Sequence, residues 1–598
     1  MSDLNGAELI ADYLVQSRVP YVVTLCGHGN LGLLDALAAR QGEIATISVH
    51  HEAAAGFIAD AYYRVRRSPL ATLTSCGPGS AQLLVALGAA LMDSSAMLAI
   101  TGDVPATQFG RAPFQELGRH YQADFPGAAR PYVKRSFQAT RTDQLPVMLP
   151  QAFSAMLSGR PGPVNLDVPL NVFAEPAPSG SLASPGTPPR SAAAAADVEA
   201  ALDLLLGAER PVIVVGQGAA DGVTSVTDLA AELAGLAADA GIPMLSSPAG
   251  KDLAAGELYL GAAGRNGTLQ ANRAARHADV ILALGTRFDD RSTSSWLPGY
   301  TYAIPPTRLI HVHGDPAEIG RNYPATLGIS AHVATVAGQL RRGLLARRQA
   351  GDILARADAP GRARWRSSVR EWGEEWERHV APSRAADAVP LHPARVLAEL
   401  RAALPADGIL LSDVGAHHNW IVQEWRPGGP GTLLQSWGFA AMGFGVAGVL
   451  GARLAAPSRP VAAVVGDGGF LMLPSAVATA VQYGLPAIWL VWNNGGFISI
   501  RDQQRGYFGQ ELATSFRYAA SGAPYRCDFA AMARAMGADG LRAETAADVG
   551  AALKTALDSG RPTVIDVPVD AEVPQPAVAT WDLPPLSYPE PGFGWPDP

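Results

Sequence analysis

Residues 461–500 read VAAVVGDGGFLMLPSAVATAVQYGLPAIWLVWNNGGFISI, and this stretch decides the fold of the chain around it. A short apolar, β-branched run ends at a Gly-Asp-Gly tripeptide, a helical pattern follows, and a second buried-strand run ends at an Asn-Asn pair. A strand, a helix and a strand in this order form a βαβ unit, whose two strands are parallel. The stretch therefore predicts a parallel sheet in an α/β domain.

The two loops of this unit place polar side chains at one edge of the sheet. Because parallel strands end at the same edge, Asp467 and Asn494, 27 positions apart, should become neighbours. A carboxylate and an amide oxygen suit Mg²⁺ or Ca²⁺, and glycines let a phosphate approach the backbone. The glycines beside the carboxylate are Gly466, Gly468 and Gly469. A Mg²⁺ ion with so few protein ligands completes its shell with phosphate oxygens, so the pattern predicts a metal-bridged diphosphate.

The GDG tripeptide, 24 intervening residues and the NN pair together resemble the signature of thiamine diphosphate enzymes of the acetohydroxyacid synthase and pyruvate decarboxylase superfamily. The alternative is two ordinary Asp-Gly and Asn-Gly turns. The resemblance implies that the Mg²⁺ ligands are the side chains of Asp467 and Asn494 and the backbone carbonyl of Gly496. It also implies three doubly wound α/β domains with parallel sheets, which are flavodoxin-like or Rossmann-like.

Composition limits the class of protein, the partners and the cellular compartment that we expect. A chain of 598 residues, 48% hydrophobic and 17% charged, is typical of several globular domains. The net charge of −8 and the scattered basic residues argue against a nucleic-acid partner. We expect neither a targeting nor a membrane segment, since the first residues form an amphipathic pattern and no apolar run reaches about 18 residues. Three widely spaced cysteines, Cys26, Cys76 and Cys527, favour a reducing cytoplasm.

Alternating strand and helix patterns, interrupted by Pro-rich or charged segments, divide the chain into three domains and their connections. With the domain identities that the resemblance implies, the expected boundaries are an N-terminal pyrimidine-binding domain at 1–173, a linker at 174–194, a central domain with a possible FAD site at 195–347, a helical linker at 348–389, a diphosphate-binding domain at 390–570 and a tail at 571–598.

Glu52 is the candidate catalytic carboxylate. It opens a helix in the sequence HHEAAA, where a metalloprotease HExxH motif would need a second histidine in place of Ala55. An exposed first-turn glutamate favoured by the helix dipole is the alternative. The resemblance implies that Glu52 hydrogen-bonds N1′ of the aminopyrimidine, so that the 4′ nitrogen can remove the thiazolium C2 proton.

The same resemblance assigns three further cofactor contacts. Met442 would bend the cofactor between its two rings, the Ala440 carbonyl would accept a hydrogen bond from the 4′-amino group, and His417 would contact the diphosphate. Without the resemblance, Met442 would be interpreted as an ordinary core residue. In this superfamily the pyrimidine domain of one subunit meets the diphosphate domain of another. Glu52 and Asp467 would then serve one cofactor only in a homodimer or homotetramer.

Several motifs resemble the acetohydroxyacid synthase branch, including GTRFDDR at 285–291 and the FQE tripeptide, whose Gln115 would face the substrate. The central domain in this branch often holds FAD without using its redox chemistry. Arg287 and Gly216 are the candidate contacts. The alternative is an empty structural domain, because GQGAAD at 216–221 lacks the third glycine of a dinucleotide fingerprint.

The sequence departs from the acetohydroxyacid synthase motifs at two places that affect the choice of substrate. Gln503 stands where the synthases have a tryptophan that helps select the second ketoacid. The GHGN sequence at 27–30 resembles the thiamine-dependent cyclic-dione hydrolases, where His28 would face the substrate as an acid or base. A structural hydrogen bond is the alternative role for His28.

These patterns predict a thiamine diphosphate- and Mg²⁺-dependent enzyme, acetolactate synthase-like, that condenses 2-ketoacids. The alternative is hydrolysis of a cyclic 1,2-dione by way of His28 and Gln115. A noncatalytic nucleotide-binding or regulatory relative is less favoured, because such relatives usually lose Glu52, Asp467 or Asn494, and all three are present.

Overall fold

The computed structural model describes residues 4–116, 124–178, 182–184, 186 and 188–578. They form three α/β blocks, each built on a six-stranded sheet in which all paired strands are parallel. This confirms the predicted fold class. None of the helices in these residues combines the length and the apolar character that crossing a membrane requires.

The first block contains six strands and seven helices. Its strands are β1 (Tyr21–Thr24), β2 (Ala45–Ser48), β3 (Ala71–Thr74), β4 (Leu98–Asp103), β5 (Arg135–Gln138) and β6 (Val164–Pro169). Its helices are α1 (Gly6–Gln16), α2 (Leu31–Ala38), α3 (Glu52–Arg66), α4 (Pro78–Met92), α5 (Phe125–Ala129), α6 (Leu145–Leu157) and α7 (Leu170–Ala174).

The central block is followed by a long helix. Its strands are β7 (Pro211–Val215), β8 (Met244–Ser246), β9 (Tyr259–Ala262), β10 (Val280–Leu284), β11 (Arg308–His313) and β12 (Leu327–Ser330). The helices are α8 (Ala195–Leu206), α9 (Val226–Ala240), α10 (Leu269–His277), α11 (Asp290–Thr293), α12 (Val333–Gln349) and the connecting α13 (Pro360–Arg384).

The third block contains the βαβ unit from which the sequence argument began. Its strands are β13 (Ile409–Ser412), β14 (Leu433–Gln435), β15 (Val461–Gly466), β16 (Ile488–Asn493), β17 (Asp539–Arg542) and β18 (Thr563–Pro568). Its helices are α14 (Pro393–Ala403), α15 (Ala416–Glu424), α16 (Phe444–Ala455), α17 (Asp467–Phe470), α18 (Ser475–Tyr483), α19 (Ile498–Phe508), α20 (Phe529–Ala535) and α21 (Ala546–Ser559).

The first and third sheets share one topology. Their strand orders, β2-β1-β3-β4-β6-β5 and β14-β13-β15-β16-β18-β17, become identical when the strands of each block are counted from one. The central order, β12-β11-β10-β7-β8-β9, is that of a dinucleotide-binding Rossmann fold. Two of the three blocks are therefore structural repeats, although the sequence has no fixed period.

The sequence patterns missed several short strands. Strands β5, β9 and β12 have mostly partly exposed residues, and β8 has only three residues. Such edge or short strands give a weaker pattern than a buried central strand. The helix expected from about 348 begins only at Pro360, since a 3₁₀ turn and irregular backbone precede it.

The first and third blocks pack together through α3 and α16, which are the helices between the second and third strands of each repeat. A Cβ on Gly451 of α16 would lie 2.0 Å from the carbonyl oxygen of Ile58 in α3, so only glycine permits this close approach. Phe57 and Phe444 pack edge to face, with ring centroids 6.2 Å apart. The two blocks consequently share one apolar core.

We predict that Gly451→Ala destabilises the protein by about 2 kcal/mol or more, because its new methyl group would overlap the α3 backbone. The matched control is Gly506→Ala in α19, where no heavy atom lies within 4 Å of a built Cβ. That change should be neutral or stabilise by up to about 1 kcal/mol through helix propensity. Urea unfolding followed by circular dichroism measures both, and equal shifts of the two midpoints would contradict the prediction.

Candidate functional site

The carboxylate of Asp467 holds the two loop tips of the βαβ unit together. Its Oδ2 accepts hydrogen bonds from the backbone N–H groups of Gly495, at 2.6 Å, and Gly496, at 3.1 Å. Its Oδ1 accepts from the N–H of Gly468 at 2.8 Å. The structure thus places Asp467 directly against the loop that carries Asn494, as the parallel strands require.

Asp467 is a buried anion with an unusual proton affinity. Its side chain is only 2% exposed, and burial raises its pKa to about 6, although three backbone N–H donors oppose the shift. A carboxylate in this setting is stabilised by any cation that approaches it. Its chemistry therefore fits a hard divalent cation, with the amide of Asn494 and the carbonyl of Gly496 as further oxygen donors.

Glycines keep the backbone beside Asp467 clear of side chains. A Cβ on Gly468 would lie 2.4 Å from the ring of Phe497, and one on Gly469 would lie 2.4 Å from Oδ2 of Asp413. Gly496 has φ +155, and a Cβ there would lie 2.3 Å from a carbonyl oxygen. The loops can therefore hold this shape only with glycine at these positions.

His417 lies over Gly466, with its Cε1 3.2 Å from the position of a Cβ on that glycine. It is 2% exposed, and its Nε2 has no hydrogen-bond partner within the described part of the chain. Burial lowers the pKa of His417 to about 4, so the ring is neutral at pH 7. A buried polar atom without a partner calls for a ligand group, and a phosphate-bearing cofactor fits this position.

The neighbouring His418 has a structural setting. Its Nδ1 lies 2.8 Å from Oγ of Ser412, and its ring stacks on Trp437 with the centroids 3.9 Å apart. Burial lowers its pKa well below the usual value. These contacts agree with a role in positioning its neighbours.

Asp413, at the end of β13, is a site residue that the sequence argument missed. Its fully buried carboxylate accepts hydrogen bonds from the N–H groups of Gly443, at 2.9 Å, and Gly445, at 3.1 Å. A Cβ on Gly469 would lie 2.4 Å from its Oδ2 and 4.0 Å from Cβ of Met442. Asp413 therefore holds the backbone directly after Met442 and lies beside the loop that begins with Asp467. Burial raises the pKa of Asp413 to about 6.

The segment before Met442 is strained. Ala440 has φ +52, a left-handed conformation that costs an L-residue about 1 kcal/mol or more. Its flanks are fixed, because Asp93 of the first block accepts hydrogen bonds from Ser436 Oγ and Gly438 N, both at 2.9 Å. Two buried carboxylates, Asp93 before Ala440 and Asp413 after it, bind the flanks of the strained residue. Such strain is expected where function requires a particular backbone conformation.

The residues predicted to face the pyrimidine and the substrate gather around the turn before α4. Oε1 of Glu52 lies 3.2 Å from the position of a Cβ on Gly79. Nε2 of His28 lies 3.4 Å from Sγ of Cys76. The backbone of Gln115 packs against Gly77 and has φ +65. The structure thus brings Glu52, His28 and Gln115 to one turn of the first block.

The predicted FAD residues lie at the carboxyl edge of the central sheet. A Cβ on Gly216 would lie 2.3 Å from a carbonyl oxygen of the loop after β10. The guanidinium of Arg287 donates to the carbonyl of Met92, at the end of α4. Nearby, Oε1 of Gln217 and Nε2 of His313 are buried and have no partner within the described residues. These two atoms fit a polar ligand at this edge.

A cavity of about 180 Å³ adjoins the Asp467 loops. It is lined by Asn494, by Gln503 and by the start of the C-terminal tail, where Gln575 donates to the Asn419 carbonyl at 2.8 Å. Residues of the predicted tail up to 578 contact the third block here, while residues 579–598 lie outside the described part of the chain. The candidate residues therefore fall into three groups, one in each block.

Three known protein-family domains match this chain, one in each of the three blocks. The thiamine pyrophosphate enzyme N-terminal TPP binding domain matches residues 4–123, the central domain matches 198–340, and the C-terminal TPP binding domain matches 413–567. The acetolactate synthase large subunit of Parasynechococcus marenigrum is 34% identical over 579 residues, which are 95% of this chain and 88% of that protein. The chain belongs to the thiamine pyrophosphate enzyme family.

Other relatives have the same description. The acetolactate synthase isozyme 1 large subunit of Escherichia coli is 30% identical over 95% of this thiamine pyrophosphate enzyme and 94% of its own length. The probable acetolactate synthase large subunit of Methanococcus aeolicus is 28% identical over 95% of this chain and 92% of its own length. This confirms the acetolactate synthase-like branch. The hydrolysis of a cyclic 1,2-dione has no support from these relatives.

We predict that Asp413→Asn weakens thiamine diphosphate binding by roughly tenfold or more. Asparagine keeps one acceptor oxygen, so its NH₂ group would replace Oδ2, which accepts from the N–H of Gly443 at 3.1 Å, and losing a hydrogen bond to a charged group costs about 1.5–3 kcal/mol. Quenching of tryptophan fluorescence during titration with the cofactor measures the affinity. The matched control is Asp558→Asn, whose side chain is 69% exposed and should have no effect. Wild-type affinity in Asp413→Asn would overturn the positioning role.

Proposed function

We propose that this enzyme condenses two 2-ketoacids with loss of carbon dioxide, in the manner of an acetolactate synthase, and that it needs Mg²⁺. The observation that carries the proposal is the similarity to acetolactate synthases over 95% of the chain, joined to a site with a buried carboxylate between two glycine-rich loops. Thiamine diphosphate, when bound, supplies the electron sink for breaking and forming the carbon–carbon bonds.

The residues of the third block fit the metal-diphosphate end of the cofactor. Asp467, Asn494 and the carbonyl of Gly496 would hold the Mg²⁺, while Gly468 and His417 would face the diphosphate. The support is the geometry of the paired loops and the unpartnered Nε2 of His417. Nearby, the Ala440 carbonyl and the Met442 side chain would contact the ring system, held there by Asp93 and Asp413.

Glu52 is proposed to hold a proton at the pyrimidine ring, at N1′. It is buried, at 7% exposed, and it begins α3, with its Oε1 3.2 Å from the position of a Cβ on Gly79 of α4. Gln115 and His28 would lie on the substrate side of the same turn. As the resemblance to the superfamily implies, we propose that Glu52 of one chain and Asp467 of a second copy meet at one cofactor, in a homodimer or homotetramer.

The central block is proposed to bind FAD as a structural group. The Rossmann strand order, Gly216 after the first strand, Arg287 after β10 and two unpartnered buried polar atoms support this. A visible absorption spectrum of the purified protein, before and after denaturation, tests it. We also propose that the three blocks are the cofactor and central domains, bounded at 1–173, 195–347 and 390–570.

The expected reaction gives a first test. With pyruvate, thiamine diphosphate and Mg²⁺, the enzyme should release carbon dioxide and form acetolactate, and EDTA should abolish turnover until Mg²⁺ is restored. Asp467→Ala should reduce kcat by at least about 100-fold, since the cation loses its charged ligand. The control is Glu257→Gln, an exposed carboxylate of the central block. Failure of the loaded enzyme to consume pyruvate or any other 2-ketoacid would reject the proposal.

Mixing two inactive variants tests whether the site is shared between chains. In a heterodimer of Glu52→Gln and Asp467→Ala chains, one site receives both intact residues and the other receives neither. Random pairing of the two chains should therefore restore about one quarter of wild-type activity. Each variant alone should stay inactive. No recovery, with heterodimers demonstrated by two affinity tags, would place Glu52 and Asp467 of the same chain at one cofactor.

A further inference from the structure

We propose that Cys76 is a positioning residue for His28 and fixes which ring nitrogen of that histidine carries the proton. Sγ of Cys76 lies 3.4 Å from Nε2 of His28, within hydrogen-bonding distance for sulfur. This inference rests on the proposed function, in which His28 lies beside the bound substrate. Neither the sequence motifs nor the comparisons assign a role to Cys76.

The setting of Cys76 makes it a neutral donor. The side chain is 1% exposed, and burial raises the pKa of its thiol to about 11. The nearby carboxylates of Glu116 and Asp103 shift that pKa in the same direction. At neutral pH the residue is therefore a thiol, and its S–H group can donate to an imidazole nitrogen.

The two residues are held in contact by the backbone around them. The N–H of Gly29, next to His28, donates to Oγ of Ser75 at 3.1 Å, so the turn before α2 is attached to the turn before α4. A Cβ on Gly29 would lie 2.9 Å from the backbone nitrogen of Cys76, which leaves no room for a larger residue. On its other side the His28 ring packs against Phe114, with ring centroids 5.7 Å apart.

This contact decides the tautomer of His28. In the neutral imidazole one nitrogen carries a proton and the other accepts. If Nε2 accepts from the Cys76 thiol, the proton lies on Nδ1, which then can donate to an oxygen of the substrate. Cys76 thus acts on the substrate only through His28.

Acidic groups surround this pair on several elements. Glu52 lies at the start of α3, and Glu116 accepts a hydrogen bond from the N–H of Gly77 at 2.8 Å. Asp103 ends β4 and lies, like Asp167 of β6, near the amide of Gln138. The variants proposed below leave all of these carboxyl groups in place.

Infrared spectroscopy tests the contact without any substrate. In a Cys26→Ser/Cys527→Ser background, Cys76 supplies the only S–H stretching band. We expect this band at lower frequency than that of a free thiol, and we expect His28→Ala to move it upward. An S–H band that does not respond to His28→Ala would overturn the proposal, whatever reaction the enzyme catalyses.

Steady-state kinetics test how the contact between Cys76 and His28 affects catalysis. Cys76→Ala should lower kcat/KM by roughly tenfold, the effect of about 1.4 kcal/mol, and should displace the pH profile of kcat/KM. Cys76→Ser, which keeps a donor, should stay within about threefold of wild type. In a His28→Ala background, Cys76→Ala should cause no further loss.

The outcomes separate the two proposals. An equal loss from Cys76→Ala with and without His28 would show that the thiol acts only through packing, and would overturn the positioning role. A wild-type enzyme that consumes no 2-ketoacid, while its S–H band still responds to His28, would instead reject the proposed function and leave the contact established.

Discussion

The close packing of α3 against α16 is the constraint on which the rest of this structure depends. Gly451 lets the two helices approach until the backbone of α3 fills the space where a side chain would stand. Apolar residues of the first and third blocks then form a shared core, beside a further apolar cluster within each block. Each helix also fixes a functional segment, since α3 begins at Glu52 and α16 directly follows the strained segment that contains Met442. The contact that joins the blocks therefore also determines where both halves of the site are presented.

Buried carboxylates are the second feature that holds the structure in shape, because they fix the loops of the site. Asp93, Asp413 and Asp467 each accept hydrogen bonds from backbone N–H groups of loops that are distant or irregular. A carboxylate offers several acceptor positions, so it can satisfy two or three such groups where no regular structure does. Burial of Asp413 and Asp467 raises the energy of their charged forms, as the raised pKa values of these two residues indicate. The loops are consequently held in shape by anions that remain responsive to a nearby cation.

Much of this arrangement was predictable from sequence, and the reasons are local. The βαβ unit was visible because its strands are continuous apolar runs, and parallel strands alone place Asp467 near Asn494. Asp413 and Asp93 gave no signal, because their partners are backbone groups 30 and 345 positions away at the glycines Gly443 and Gly438. The contact between His28 and Cys76 spans 48 positions and depends on how two turns pack. Short edge strands such as β12 were missed because their residues are partly exposed.

The first and third blocks use one strand order for different chemistry. Equivalent helices, α3 and α16, follow the second strand of each repeat. Glu52 stands at the start of α3, whereas Asp467 follows the third strand of the other repeat. The same scaffold is therefore used twice in the chain, while the functional side chains that it carries differ between the two uses.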